Sequence, residues 1–336
     1  MPGMYEINQP MKREELGDEI FAVESHQTPF LRLVPKGSQP NQMLDSWPVQ
    51  EYPRQAFGGT VDGYDVDTYN STTREEIEGA CQWILQSWKV AKLANLTVAA
   101  GVGRNEKARQ MRDALLLLNK KLERLFLSAN DLQVAAGETP YETRGALSWL
   151  QVAAQTTKPV PADFRPPSAC VHATALSNLT PDAFEDLLEA AANKKMAPVD
   201  LTGIVGIKLK SHMSYWGQKA TVSGDTQVAL QNFNLNASDK RLISIVDRFE
   251  FDAGTVEVVP SWYLACDPDT GEDTDYTPRS GIFVETAMWE KRFLQNVESV
   301  IETPKSGGPR GYHDCVVSLA CKNPLGQVMV YTDSDS

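Results

Sequence analysis

The stretch from Pro53 to Glu78 constrains this chain most. It holds Gly58, Gly59 and Gly63 among many Asp, Asn, Ser and Thr residues, a mixture that favours turns over core. Tryptophan-bearing limbs flank it: Gln42 to Tyr52 with Trp47, and Gly79 to Val90 with Trp83 and Trp88. The pattern reads as a long hairpin whose tip is too long and too polar for the inside of a compact domain. Such a tip needs a surface outside its own domain to lie on.

Residues 1–41 pose the same problem. Pro2, Pro10, Pro29, Pro35 and Pro40 punctuate them, and the one helix candidate, Lys12 to Glu24, carries Leu16, Ile20 and Val23 on a single stripe. Thr28-Pro29-Phe30 should end that helix, because the residue before a proline avoids the α region. A short amphipathic helix tethered by proline segments cannot bury its own face, so this arm also looks for a partner.

The strongest helical pattern runs from about Asn105 to Ala129, with Met111, Leu115, Leu118, Leu122 and Leu125 at steps of four and three. Lys107, Arg109, Arg112, Lys120, Lys121 and Arg124 occupy the other faces. Glu106, Asp113 and Glu123 are interspersed among them, which reads as a mixed, solvated face. Pro159, Pro161, Pro166 and Pro167 mark a boundary. A second helix should open at Thr180-Pro181-Asp182, where Thr caps, Pro suits the first helical position and Asp complements the dipole. Strand candidates follow at Gly203–Leu209, Leu242–Phe251, Thr255–Val259, Gly281–Glu285 and Val316–Ala320. Late strands after early helices predict an α+β fold.

Composition narrows the function. The net charge of -12 argues against a broad nucleic-acid grip, which needs clustered Lys and Arg, but it does not prevent a chain from enclosing DNA. No apolar run reaches the roughly 18 residues needed to cross a bilayer, and the opening Met1-Pro2-Gly3-Met4-Tyr5-Glu6 lacks the pattern of a secretory signal. The five cysteines, Cys81, Cys170, Cys266, Cys315 and Cys321, are odd in number and mostly far apart. Buried thiols in a reducing cytoplasm are expected.

Little supports catalysis. The chain has no Gly-x-x-x-x-Gly-Lys, no Gly-x-Ser-x-Gly and no His-Glu-x-x-His. Gly101-Val102-Gly103 lacks the third glycine of a dinucleotide fingerprint and reads as a helix N-terminal turn. His313-Asp314-Cys315 with Cys321 invites a thiol or metal site, but the spacing is not that of a zinc pair, so buried structural cysteines are the expectation. Asp267 to Asp275 is an acidic run whose glycine falls at the fifth position and not the sixth of a calcium loop; a solvated turn is expected. No cofactor and no metal are expected.

Several stretches resemble the major capsid proteins of tailed phages with the Hong Kong 97-like fold. Arg13 to Ile20 followed by Gln27-Thr28-Pro29-Phe30 looks like the N-terminal pattern of one subfamily, and Trp47 matches a tryptophan entering its extended loop. Glu106 to Leu127 is similar to its spine helix. Thr143-Arg144-Gly145-Ala146-Leu147-Ser148-Trp149-Leu150 looks like its Thr-Arg-Gly…Ser-Trp-Leu segment and is the most specific match. Phe251 to Val259 resembles a strand and turn of its axial domain, and Gly311-Tyr312-His313-Asp314 with Asn323-Pro324-Leu325-Gly326 closes the series. Residues 200 to 240 and the acidic run match nothing in the pattern.

The resemblance implies an N-terminal arm (1–41), an extended loop (42–90), a peripheral domain (91–170, with the spine helix at about 105–129) completed by 286–336, and an axial domain (171–285). It implies a non-enzymatic homo-oligomer, hexamers and pentamers of an icosahedral shell around double-stranded DNA, without sequence-specific binding. Portal, scaffolding and decoration proteins are the implied partners. No membrane is involved, and the virion, assembled in a host cytoplasm, is the implied location. The residues expected at assembly contacts are Leu16, Ile20, Phe30, Trp47, Arg54, Tyr64, Trp83 and Trp88. Two alternatives stand beside this: an encapsulin-like nanocompartment shell of the same fold, and a cytoplasmic enzyme using Cys315 and His313.

Overall fold

Two mostly polar strands, each with one large buried apolar residue, build the first sheet. In the computed structural model, which describes residues 27–50, 52, 58–65, 67, 69, 72, 74–96, 106–151, 155–216, 246–264, 278–304 and 307–331, a five-residue helix α1 (Pro29–Leu33) precedes strand β1 (Leu44–Gln50). β1 pairs antiparallel with β2 (Arg74–Ala80), with Trp47 opposite Ile77 and Gln50 opposite Arg74. Of the expected second limb, Gly79 to Val90, only Gly79 and Ala80 pair with the first, opposite Asp45 and Leu44. The chain breaks at Cys81, whose N–H donates to Met43 O at 2.7 Å. It then starts β3 (Gln82–Lys89), which joins another sheet. Pro29 opens a helix at its first turn, where its missing N–H costs nothing.

Two compact units follow from the contacts. Among the described residues, one is built from Leu85–Leu118 and Glu298–Asp314; the other is built from Thr28–Ile84, Asn119–Val297 and Cys315–Ser336. After β3 come α2 (Lys92–Leu96) and the long α3 (Glu106–Phe126). In the first unit, Trp88 and Val90 pack with Ala114 and Met111. The buried stripe of α3 runs Ala114, Leu118, Leu122, Leu125; Leu115, expected on it, is 38% exposed. A one-residue rotation of the face accounts for this, since Ala114 and Leu118 are also four apart.

The second unit continues through α4 (Ala146–Leu150), β4 (Val171–His172) and α5 (Pro181–Lys195). Helix α5 begins as its sequence dictates: the Thr180 hydroxyl accepts the Ala183 N–H at 3.2 Å, with Pro181 and Asp182 in the first turn. β5 (Val199–Val205) then leads into α6 (Ile207–Trp216). Residues 207–209, expected in a strand, are thus helical. A short apolar run cannot be told from a buried helix by period alone, and Gly206 makes the break. A Cβ there would sit 2.3 Å from Pro278 O, the carbonyl that receives the N–H groups of Lys208 and Leu209.

The remaining strands are β6 (Arg248–Phe251), β7 (Gly254–Pro260), β8 (Gly281–Val284), β9 (Trp289–Glu302), β10 (Arg310–Cys321) and β11 (Val328–Val330). A six-stranded sheet has the order β4-β11-β8-β5-β7-β6, and a three-stranded one the order β3-β10-β9. In the larger sheet β5–β7 and β4–β11 are parallel and the other pairs antiparallel. Phe184, Leu188 and Ala191 of α5 and Leu209 and Met213 of α6 pack with Leu201, Val256, Phe283 and Val330 of that sheet. Each such large side chain stabilises by roughly 1.5–3 kcal/mol. The mix of helices and a mainly antiparallel sheet is an α+β architecture. The helix candidate Lys12 to Glu24, residues 242–245 of the Leu242–Phe251 strand, Gly101 to Gly103, Cys266 and the acidic run Asp267 to Asp275 lie outside the described residues.

Candidate assembly surface

The segment Thr143 to Leu150 is a knot of buried polar contacts. Gly145 allows it: an added Cβ would lie 2.1 Å from Ser128 O. Arg144 is fully buried. Its Nε donates to Asp131 Oδ1 at 3.0 Å, and its Nη2 donates to Thr157 O at 2.8 Å and Lys158 O at 3.0 Å. The guanidinium stacks over the Trp149 ring at 4.7 Å. Asp131 in turn accepts the N–H groups of Thr156 at 2.7 Å and Thr157 at 3.1 Å. Burial pushes the Asp131 carboxyl up, but those amides and the Arg144 charge outweigh it and hold it below the ordinary range. Residues 155–158 are thereby fixed, and Lys158 pairs with Glu78 of β2 at 2.9 Å.

The same knot holds the base of the β1–β2 hairpin. Thr143 N–H donates to Gln82 Oε1 at 3.2 Å, and Thr143 Oγ1 accepts Leu319 N–H at 3.1 Å. Trp149 Nε1 donates to Leu319 O at 3.2 Å, while its ring meets Trp47 at 5.8 Å. Over the Trp47 ring, at 4.9 Å, lies Arg292. Arg292 pairs with Asp45 at 2.6 Å and Glu290 at 3.1 Å, and Lys322 also pairs with Glu290. Burial alone would push Arg292 down and Glu290 up; the hydrogen bonds and opposite charges win in both, raising Arg292 and lowering Glu290.

All described residues from Tyr52 to Thr72 are exposed, including Tyr52 at 70%, Val61 at 79%, Tyr64 at 57% and Tyr69 at 84%. Large apolar groups clustered on one excursion mark an interaction surface.

The expected contact residues divide three ways. Leu16, Ile20 and Arg54 lie outside the described residues. Phe30, Trp47 and Trp88 are 0%, 8% and 6% exposed, so most of their surface is spent inside their own chain. Phe30 meets Trp289 edge-on at 6.1 Å, Trp47 meets Trp149, and Trp88 packs with Val90. Only Tyr64 and Trp83, 57% and 61% exposed, present their rings outward. Sequence reading missed Asp45, Arg292 and Glu290, which no local motif links. It also took Glu123 for part of a solvated face, whereas Glu123 is fully buried.

The residues of the enzymatic alternative are enclosed. Cys315 is fully buried and His313 is 3% exposed. His313 Nε2 contacts Met111 O at 2.9 Å and its Nδ1 contacts Ser299 Oγ at 2.6 Å. Cys81, Cys170, Cys315 and Cys321 are buried thiols not joined in disulfides. Burial pushes Cys81 up to about 12 and Cys170 up to about 11, far from a reactive thiolate. Among the described residues no group of His, Cys, Asp and Glu side chains could hold a metal, and no helix is long and apolar enough to cross a membrane.

The sequence profile of the SU10 major capsid protein family matches residues 3–310. The chain belongs to that family. A comparison with curated protein sequences finds no match. Solved structures agree in fold. The capsid protein of cyanophage A-1(L) superposes with a TM-score of 0.68 at 12% identity, over 97% of this chain and 98% of that one. That of cyanophage Pam1 gives 0.60 at 12%, over 98% and 97%. The capsid of a native GTA particle gives 0.60 at 11%, over 95% of each. At these identities the likeness shows the fold, which is Hong Kong 97-like. The chain is the major capsid protein of a tailed phage and resides in the virion capsid. The family is that of a phage head and not of a nanocompartment.

Proposed function

We propose that this capsid protein self-assembles into hexamers and pentamers that close an icosahedral head around double-stranded DNA. The observation that carries the proposal is the exposed excursion from Tyr52 to Thr72, whose described large apolar side chains, Tyr52, Val61, Tyr64 and Tyr69, are each more than half exposed. A heterologous contact repeated around a ring supplies that cover from the next copy. In this reading residues 1–41 form the arm and 42–90 the extended loop. The peripheral domain is 91–170 completed by 286–336, and the axial domain is 171–285. Tyr64 and Trp83 touch a neighbour directly. Phe30, Trp47 and Trp88 act from within, by holding the arm and the loop at fixed angles. Leu16, Ile20 and Arg54 contribute from the arm and loop. The negative net charge suits a wall that encloses DNA without gripping it. Portal, scaffolding and decoration proteins complete the particle, and the chain has no catalytic role.

Electron microscopy of the purified chain, alone and with co-expressed scaffolding protein, tests this. Rings of five or six copies, or closed shells, are expected. A monodisperse monomer at all concentrations and in both preparations would overturn it.

A further inference from the structure

Helix α3 carries one carboxylate in its buried stripe. Glu123 is fully buried, next to Leu122 and one turn from Phe126. Its Oε1 accepts the Phe30 N–H at 2.9 Å and its Oε2 accepts the Leu31 N–H at 2.7 Å. These are successive amides of the first turn of α1, a turn whose N-cap residue, Thr28, makes no side-chain cap. The Lys291 ammonium from β9 donates to Leu31 O at 2.6 Å. Beyond α1 the chain stays on the same strand: Lys291 N–H donates to Pro35 O, and Gly37 N–H donates to Lys291 O, both at 3.0 Å. Phe30 and Val34 are buried here and already supply apolar attachment. A buried carboxylate is costly beside them, so its presence asks for a reason.

We propose that Glu123 is a positioning residue, a proton-sensitive anchor that fixes helix α1 against α3 and β9. Lys291 is the charged group that faces it from β9. Helix α1 offers only Arg32, which is exposed. On α3 itself Lys120 lies buried one turn earlier, and Arg124 stacks on the Tyr263 ring. Burial pushes the Glu123 carboxyl up to about 7, against the two amides and Lys291, from an ordinary value of 4.5. If α1 lifts away, the carboxyl meets water and returns towards that ordinary value.

The sign of the effect follows from linkage. The anchored state binds the proton more tightly than the released state. Its extra stability is complete below the released value, shrinks as pH rises, and is lost above about 7. Acid therefore tightens the anchor and mild alkali loosens it. The ionised form keeps both amide bonds, so loosening is a shift in local opening and not detachment. The device belongs to a single subunit and stands whether or not shells form.

Hydrogen exchange at the Phe30 and Leu31 amides reads the opening directly. Protection factors, corrected for intrinsic exchange, would be followed from pH 5.5 to 8.5 on the purified chain. They should rise at least about tenfold on acidification through neutrality, the ratio that one pKa unit commands. Glu123→Gln should flatten that profile at the same two amides. Lys291→Met should move the transition to higher pH, because a positive neighbour that favours the carboxylate is gone. A flat profile in the unmodified protein overturns the proposal, as does one that falls with acid. An unchanged profile in Glu123→Gln does the same. Should Glu123→Gln fail to fold, the direction of the Lys291→Met shift decides.

Discussion

The two ends of the β1–β2 hairpin obey opposite rules. At its base Trp47 lies between Trp149 and Arg292, Asp45 and Glu290 hold Arg292 from two sides, and Lys158 grips Glu78. At its tip Tyr64 and Tyr69 are more than half exposed. One strand pair thus carries a base tied by buried contacts to its own subunit and a tip whose described residues are exposed. Rigidity at the base makes the tip useful. A loop that must meet a neighbour at a fixed angle loses less entropy on docking if its root is already ordered. The comparison also separates two kinds of residue that sequence alone merges. Trp47 and Tyr64 both sit on the hairpin, but one should report on subunit stability and the other on assembly.

The largest effect should come from the knot beneath the base. Arg144→Leu removes the donor that holds Thr157 O and Lys158 O and leaves Asp131 without its cation. Breaking one side of a buried pair costs about 3 to 5 kcal/mol. The urea midpoint of the purified protein should fall accordingly, and a midpoint unchanged from the parent would show the knot to be dispensable. Trp47→Ala should come next, at about 3 kcal/mol, the lower end for an aromatic truncated in a core. It also strips the face from the Arg292 guanidinium. Tip exposure should stay as it was, so limited proteolysis near residues 58–69 should yield the same first cuts as in the parent. New cuts within 44–50 would mark the base as loosened.

Asp45→Asn probes the base more gently. Arg292 keeps Glu290, and the amide still accepts a hydrogen bond, so about 1 to 2 kcal/mol is the expected loss. Raising salt should narrow the gap between parent and variant little, because the pair is largely buried and Debye screening acts on exposed charges. A gap that closes at high salt would mean the pair behaves as a surface one.

What could be read from the chain alone follows the range of the interactions. Thr180-Pro181-Asp182 announced its helix because a cap is decided within four residues. The long helix announced itself by period, yet its face was read one residue off at Leu115. Strand β2 hid because Arg74-Glu75-Glu76 looks like a solvated turn, with Ile77 its one large apolar inward residue. The Thr143–Leu150 segment stood out by its pattern, but nothing in eight letters says that Arg144 is buried. Its partners Asp131 and Lys158 are more than ten residues away on either side. Arg292 and Asp45 are separated by 247 positions, and no local rule joins them. Glu123 was misread because a charge on a helix is usually solvated, and only the arrival of α1 makes it otherwise.

The smallest effect on stability should accompany the largest effect on assembly. Tyr69 is 84% exposed and Tyr64 57%, so replacing both by Ser removes little buried surface from the isolated subunit, most of it at Tyr64. A change within about 0.5 kcal/mol is expected, as for other surface substitutions. If a neighbouring copy covers these rings, each desolvates on docking, and truncation of aromatic anchors at an interface commonly costs more than 1 kcal/mol apiece. Repeated at every loop of a ring, the loss multiplies, and sedimentation should find subunits where the parent gives larger particles. Trp47→Ala, destabilised yet with an intact tip, should still form particles at low temperature. If instead the double Tyr variant assembles normally and Trp47→Ala does not, the tip is ornamental, and the hairpin serves assembly through its root alone.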